Sequence, residues 1–312
     1  MNSGTHASVM GNRKNRAVVE TVAQIVFTIC AFFAVLAVVS ITLYMIISGT
    51  PAIMKVGLGE ILFGTEWMPT AADPKFGILW VILTSIVGTT LAILLGVPIG
   101  VLTAVFLAEV APRPLAAIVK PAVELLAGIP SVIYGLLGIY LLNPLMYKLE
   151  RLIFQGSTTH QFTGGANLLS AVIVLAIMIL PTVMRTTQES LKTVPQSYRE
   201  GALGLGAGKW HMIRTVVLPG AVDGIVTGCI LAVGRIVGES AALLYTAGFG
   251  LVLNNFVTAL ESSSATLTVA LYVYASERGE TDIAFAIATI LMLLTLVINL
   301  SANLVGRKLK KN

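Results

Sequence analysis

Two ionisable residues sit inside an apolar run where charge is expensive. Arg235 and Glu239 belong to Gly234-Arg235-Ile236-Val237-Gly238-Glu239-Ser240. They are four positions apart, hence neighbours on one face if the run is helical. A charge at a bilayer centre costs about 2.5–3.5 kcal/mol on insertion scales, so it calls for a partner or a water-filled route. The fixed N–H fork of arginine matches a phosphate-like oxyanion. The pair is expected to form an anion station in a translocation path. Glu239 would limit how tightly an anion stays, because a station that binds too well does not release. The competing reading is a structural ion pair that touches no substrate.

Other polar residues are less pointed. Lys120 and Glu124 are spaced as an interfacial pair, and Asp223 falls near the inner end of an apolar run. His6, His160 and His211 are scattered and form no ligand cluster. Cys30 and Cys229 fall within apolar runs and read as small core residues. No serine–histidine–acid arrangement is present, so no hydrolase, metal centre or cofactor is expected.

A second constellation begins in the polar stretch 186–215 and extends into the next apolar run. It reads Glu200-Gly201-Ala202, three residues, Gly206, nine residues, Val216, one residue, then Leu218-Pro219. Residues 197–205 can form a short helix, and Gly206 supplies the positive φ needed to turn the chain. A second amphipathic stretch, Trp210 to Val217, leads to Leu218-Pro219 at the start of that apolar run, where proline is tolerated. A short rigid helix between two membrane helices can transmit a push, which a loop is too compliant to do. Gly206-Ala207-Gly208-Lys209 superficially resembles a phosphate-cradling loop. Leu203 stands where that loop needs glycine and Trp210 where it needs a hydroxyl. The chain is not expected to bind ATP.

The elements that must position these residues can be read from composition. Of 312 residues, 56% are hydrophobic and only 11% charged, against about 25% charged in soluble domains. Lipid must solvate the remainder, and each crossing needs about 20 apolar residues. Six spans are expected, roughly 21–48, 76–108, 115–146, 167–185, 216–249 and 281–306. The first is too long for a cleaved export signal. The third contains Pro130 and Pro144 and is expected to break near Ile129-Pro130-Ser131. The fold class is all-α and polytopic. Residues 1–20 form an N-terminal tail, 21–306 the membrane domain with segment 186–215, and 307–312 a C-terminal tail.

Six spans place both termini on one side. Thirteen of the twenty Lys and Arg residues lie on that side, five opposite and two within spans, which assigns both termini to the cytoplasm of a cell membrane. The net charge of +5 forms no basic face with interleaved aromatics, so no nucleic acid is expected. Trp67, Tyr147, Phe154 and Tyr274 suit an interfacial belt on the outer side. Small residues four apart, Gly96 and Gly100, Gly224 and Gly228, Gly234 and Gly238, allow close helix approach within the subunit or against a second one.

The spacing Glu200-Gly201-Ala202, Gly206, Val216, Leu218-Pro219 resembles the coupling motif of ABC-importer permeases, with Gly201 and Val216 as mild departures. Glu124-Leu125-Leu126-Ala127-Gly128-Ile129-Pro130-Ser131-Val132-Ile133-Tyr134-Gly135, the stretch around Arg235 and Glu239, and Trp67-Met68-Pro69 with Phe76-Gly77-Ile78-Leu79 are similar to the phosphate-importer permeases, PstC-type rather than PstA-type. The resemblance implies a MetI-like architecture and phosphate transport without catalysis in this chain. It also implies several partners: a second, PstA-type permease, two cytosolic ATP-binding subunits, an extracellular phosphate-binding protein and membrane lipid. Alternatives are an importer of another oxyanion and a stand-alone secondary transporter. The latter would call for inverted repeats, which the sequence does not display.

Overall fold

A computed structural model describes residues 4–68, 75–156, 162–250 and 262–309, with side chains from residue 18 to residue 308. Pro69, His160, Lys310 and Lys311 lie outside the described residues, and for His6, Arg13, Lys14 and Arg16 only the backbone is described.

In lipid every backbone N–H and C=O must be satisfied within the segment, which for long apolar runs means a helix. Among the described residues, six helices are long and apolar enough to cross a membrane: Val18–Val56, Leu79–Val110, Ser131–Ile153, Leu168–Thr193, Lys209–Val237 and Thr281–Lys308. In element order, α1 spans Gly4–Val56 and α2 Leu58–Phe63. A two-residue ribbon comes next, β1 Trp67–Met68 antiparallel to β2 Lys75–Phe76. Helix α3 (Leu79–Val105) ends in a π-turn, Phe106–Val110.

The third expected span, 115–146, is displaced. Helix α4 (Arg113–Gly128) stops at Ile129, which is extended (φ −73°, ψ 124°) as a residue before proline tends to be. Helix α5 (Ser131–Leu137) begins directly after Pro130 and runs through a π-turn, Gly138–Leu142, into α6 (Asn143–Ile153). The break at Ile129-Pro130-Ser131 is where the sequence placed it, but the crossing segment is 131–153. Pro144 does not interrupt it, because the wider π-turn before it relaxes the hydrogen-bond register.

After α7 (Leu168–Thr193) come α8 (Gln196–Gly204) and α9 (Lys209–Met212). A π-turn, Ile213–Val217, joins α9 to α10 (Leu218–Val237) in one helix. Leu218-Pro219 therefore lies inside a helix, not in its first turn. The π-turn precedes the proline and widens the hydrogen-bond register there. The fifth span also ends at Val237, short of the expected 249. Helix α11 (Ala241–Thr246), α12 (Leu267–Tyr272) with a π-turn at Val273–Glu277, and α13 (Thr281–Leu309) complete the fold.

Helix α7 is the centre. Leu168, Ala171, Val172, Ile179 and Val183 on it are at most 1% exposed. On one flank Gly96 and Gly100 of α3 leave room only for Ile179 and Val183 of α7. On the other, Gly224 and Gly228 of α10 face Ser190 and Thr186. These four glycines serve packing within the subunit, whereas a Cβ at Gly234 would meet nothing from another element within 4 Å. Helix α1 sits outside this core, seamed to α13, where Thr289 Oγ1 donates to the Met45 carbonyl at 3.0 Å.

The end of the bundle away from α8 is capped by the ribbon. Tyr274 is fully buried there, not placed in an interfacial belt. Its hydroxyl oxygen accepts from Trp67 Nε1 at 2.6 Å and from Arg278 at 3.2 Å. Burial pushes the Tyr274 phenol above its ordinary value of 10.0, against the lowering effect of the Trp67 hydrogen bond and the Arg278 charge.

Candidate translocation and coupling site

The hairpin formed by α8 and α9 projects from one end of the bundle, and its turn closes in a defined way. Gly206 has φ +84°. Its N–H donates to the Leu203 carbonyl at 2.9 Å, and the Ala207 N–H donates to the Ala202 carbonyl at 3.1 Å. This is the two-bond Schellman closure of a helix, which needs a left-handed residue where Gly206 stands. Glu200 and Gly201 are exposed on α8, while Ala202 turns inward. Ala202 and Leu218 both pack on one apolar cluster that includes Val105, Leu191, Ile213 and Val217. The cluster joins the hairpin to the roots of α3, α7 and α10. Tyr198, Leu205 and Trp210 remain outside it, Leu205 at 92% exposure.

Arg199, on the inner side of α8, was not singled out by the sequence. Its Nη1 donates to the Val194 carbonyl at 2.5 Å, and its Nη2 to the Leu191 carbonyl at 2.7 Å and to Glu109 Oε1 at 3.0 Å. Both side chains are nearly buried, 13% and 12% exposed. The available signal was opposite charge at the ends of two apolar runs on one membrane side. The 90-residue separation hid the pairing.

Beside this pair a cavity of about 750 Å³ opens between α4, α7, α8 and α9. Lys120, Lys192 and Lys209 line it, and none of the three has a carboxylate within ion-pair distance among the described residues. The expected Lys120–Glu124 couple is therefore not formed. The cavity is electropositive, which concentrates anions at its mouth.

Arg235 lies 17 residues beyond Leu218 on α10, roughly 25 Å at 1.5 Å per residue. It is exposed on the surface of the single subunit, beside Gly234 and within electrostatic reach of the Tyr134 hydroxyl. The sequence placed Arg235 and Glu239 on one helix face, and the structure does not. Helix α10 ends at Val237, and the Glu239 N–H closes a tighter turn onto the Ile236 carbonyl at 3.1 Å. Glu239 is buried, and its Oε1 accepts the Ala242 N–H at 3.1 Å, satisfying a free donor at the start of α11. Its carbonyl accepts the Thr268 hydroxyl at 2.6 Å. No Arg235–Glu239 ion pair is present. Glu239 holds the helix break, and Arg235 presents its guanidinium at the edge of that break.

The candidate residues thus form two groups. Glu200, Gly201, Ala202 and Gly206 share the hairpin, with Leu218 and Pro219 at its root, and Arg235 lies apart from them, exposed near the far end of α10.

Residues 96–311 match the family described as binding-protein-dependent transport system inner membrane component. The chain is 34% identical over 249 residues, 79% of its length and 77% of the other, to the probable ABC transporter permease protein YqgH of Bacillus subtilis. It is 36% identical to the phosphate transport system permease protein PstC of Xylella fastidiosa over 239 residues, 72% of this chain and 71% of that one. A chain in the crystal structure of a bacterial alginate ABC transporter bound to its alginate-loaded periplasmic protein superposes with a TM-score of 0.56 at 18% identity. That match covers 88% of this chain and 96% of the other, and it shows the fold alone.

Proposed function

This chain belongs to the family of binding-protein-dependent transport system inner membrane components, and on that premise we propose that it is the transmembrane permease subunit of an ATP-driven importer of inorganic phosphate. It is a multi-pass inner-membrane protein and a transport subunit. Subunits of this family work with ATPase subunits and a substrate-binding partner. The finer assignments are part of the reading: a second, PstA-type permease completes the path, two cytosolic chains hydrolyse ATP, and an extracellular protein delivers phosphate. The excess of Lys and Arg on the side of both termini supports a cytoplasmic location for them.

The observation that carries the reading is the α8–Gly206–α9 hairpin. It is rigidly closed, projects apolar side chains outward, and is rooted by Ala202 and Leu218 in the helix core. Segment 186–215, with Glu200, Gly201, Ala202, Gly206, Leu218 and Pro219, is the lever that the ATPases drive. Arg235 is an oxyanion station in the path, exposed toward the face a second permease would complete. Glu239 supports it by fixing the helix break. ATP binding moves the hairpin and opens the path outward, and hydrolysis returns it to face inward.

The test is reconstitution of the full complex and measurement of labelled phosphate uptake, with molybdate and sulfate as competitors. Uptake that depends on ATP and on the binding protein, and that excess unlabelled phosphate outcompetes, supports the assignment. Substrate movement by the purified chain alone, or labelling of Lys209 from outside the cell, overturns it.

A further inference from the structure

The Arg199–Glu109 contact joins the hairpin to two membrane helices at once. One guanidinium takes the Leu191 and Val194 carbonyls at the end of α7 and the Glu109 carboxylate in the π-turn that ends α3. Leu191 belongs to the last turn of α7 and Val194 caps it, at a helix end where donors are otherwise lacking and positive charge is favoured. The link from α7 to α8 is only Val194-Pro195, and Val194 is buried.

A nearly buried ion pair is a poor device for stability, since desolvation offsets most of its attraction and apolar replacement is often neutral. What a three-way arginine fork provides is fixed orientation. Here it fixes α8 relative to the ends of α3 and α7, which are already interlocked through Gly96 and Gly100.

We propose that Arg199 and Glu109 form the latch that makes α3, α7 and α8 one rigid body, so that a displacement of the hairpin reaches the membrane helices undiminished. Arg199 is a positioning residue that touches neither substrate nor nucleotide. The proposal rests on the lever reading above, and its test does not depend on the identity of the cargo.

The experiment uses the assembled transporter with Cys30 and Cys229 replaced by alanine. Spin labels are placed at exposed Ser197 on α8 and exposed Leu102 on α3. In the parent the distance between labels is narrow and the same without nucleotide and with ATP bound. In Arg199→Gln and in Glu109→Gln, which keeps an acceptor and perturbs folding least, the distribution broadens and shifts with nucleotide. Uptake per ATP hydrolysed falls about tenfold in either variant and no further in the double variant, the signature of one shared interaction. Arg199→Lys, which keeps the charge but loses the fork, recovers it in part. A merely structural role would lower the yield and melting temperature of the complex with the distance and the ratio unchanged. That result overturns the latch, as does a parent distance that changes with nucleotide or additive losses in the double variant. If the parent moves no phosphate, the substrate assignment fails while the distance measurement still decides the latch.

Discussion

The Tyr134 hydroxyl donates to the Leu126 carbonyl at 2.7 Å, across the helix break at Ile129-Pro130. One bond thereby ties the start of α5 to the last turn of α4, whose final carbonyls have no helical partner. Replacing Tyr134 by Phe keeps the buried ring and deletes the bond. The expected loss is about 1 kcal/mol, typical of a net hydrogen bond. Hydrogen exchange should show it as faster opening at residues 124–128, with the α7 core unaffected. Unchanged protection there would show that the break is held by packing alone.

Gly206→Val places a β-branched residue at φ +84°, a conformation that costs roughly 1–2 kcal/mol per residue for side chains with a Cβ. Beyond the adjoining residues the added Cβ meets nothing within 4 Å, so the strain is confined to the local backbone and stays in the hairpin. Membrane insertion and the bundle should survive, and ATP hydrolysis should separate from uptake. Fully coupled uptake by this variant, measured in proteoliposomes, would contradict the lever.

Arg235→Gln and Glu239→Gln should fail differently, because the two side chains have different partners. The first removes an exposed guanidinium and should abolish most phosphate uptake while the complex still assembles and melts normally. The second weakens the bond to the Ala242 N–H at a buried site, a loss of about 1–3 kcal/mol. It should lower the melting temperature before it affects anion selectivity. Normal uptake in Arg235→Gln would remove the oxyanion station.

Tyr274 gives the ribbon cap an alkaline limit. Its folded-state value lies above the ordinary 10.0, so the folded protein holds that proton more tightly than the unfolded one does. Stability from this source is complete below 10.0 and is lost as pH rises through the folded value. Thermal melts above pH 10 should therefore fall more steeply in the parent than in Tyr274→Phe. Equal slopes would place the alkaline sensitivity elsewhere.

The legible parts of the sequence were those set by local chemistry. Gly206 announced a left-handed turn, Ile129-Pro130 a break, and the apolar runs six crossings, because each depends on residues a few positions apart. The end of α10 was not legible. Val237-Gly238-Glu239 continues an apolar helical pattern, and it stops only because Glu239 finds a better use at the start of α11 and under Thr268. The π-turns before Pro144 and Pro219 likewise answer constraints that a periodicity count does not contain. Arg199 and Glu109 meet through tertiary packing, and no local signal links them.

The glycine grooves on either side of α7 restrict how this subunit can move. Ile179 and Val183 are seated in α3, and Thr186 and Ser190 are seated in α10. Turning α7 about its own axis would drive those four side chains over bare backbone on both sides together. Unscrewing is thus closed to it, and tilting of the three helices as one plate is the motion that remains.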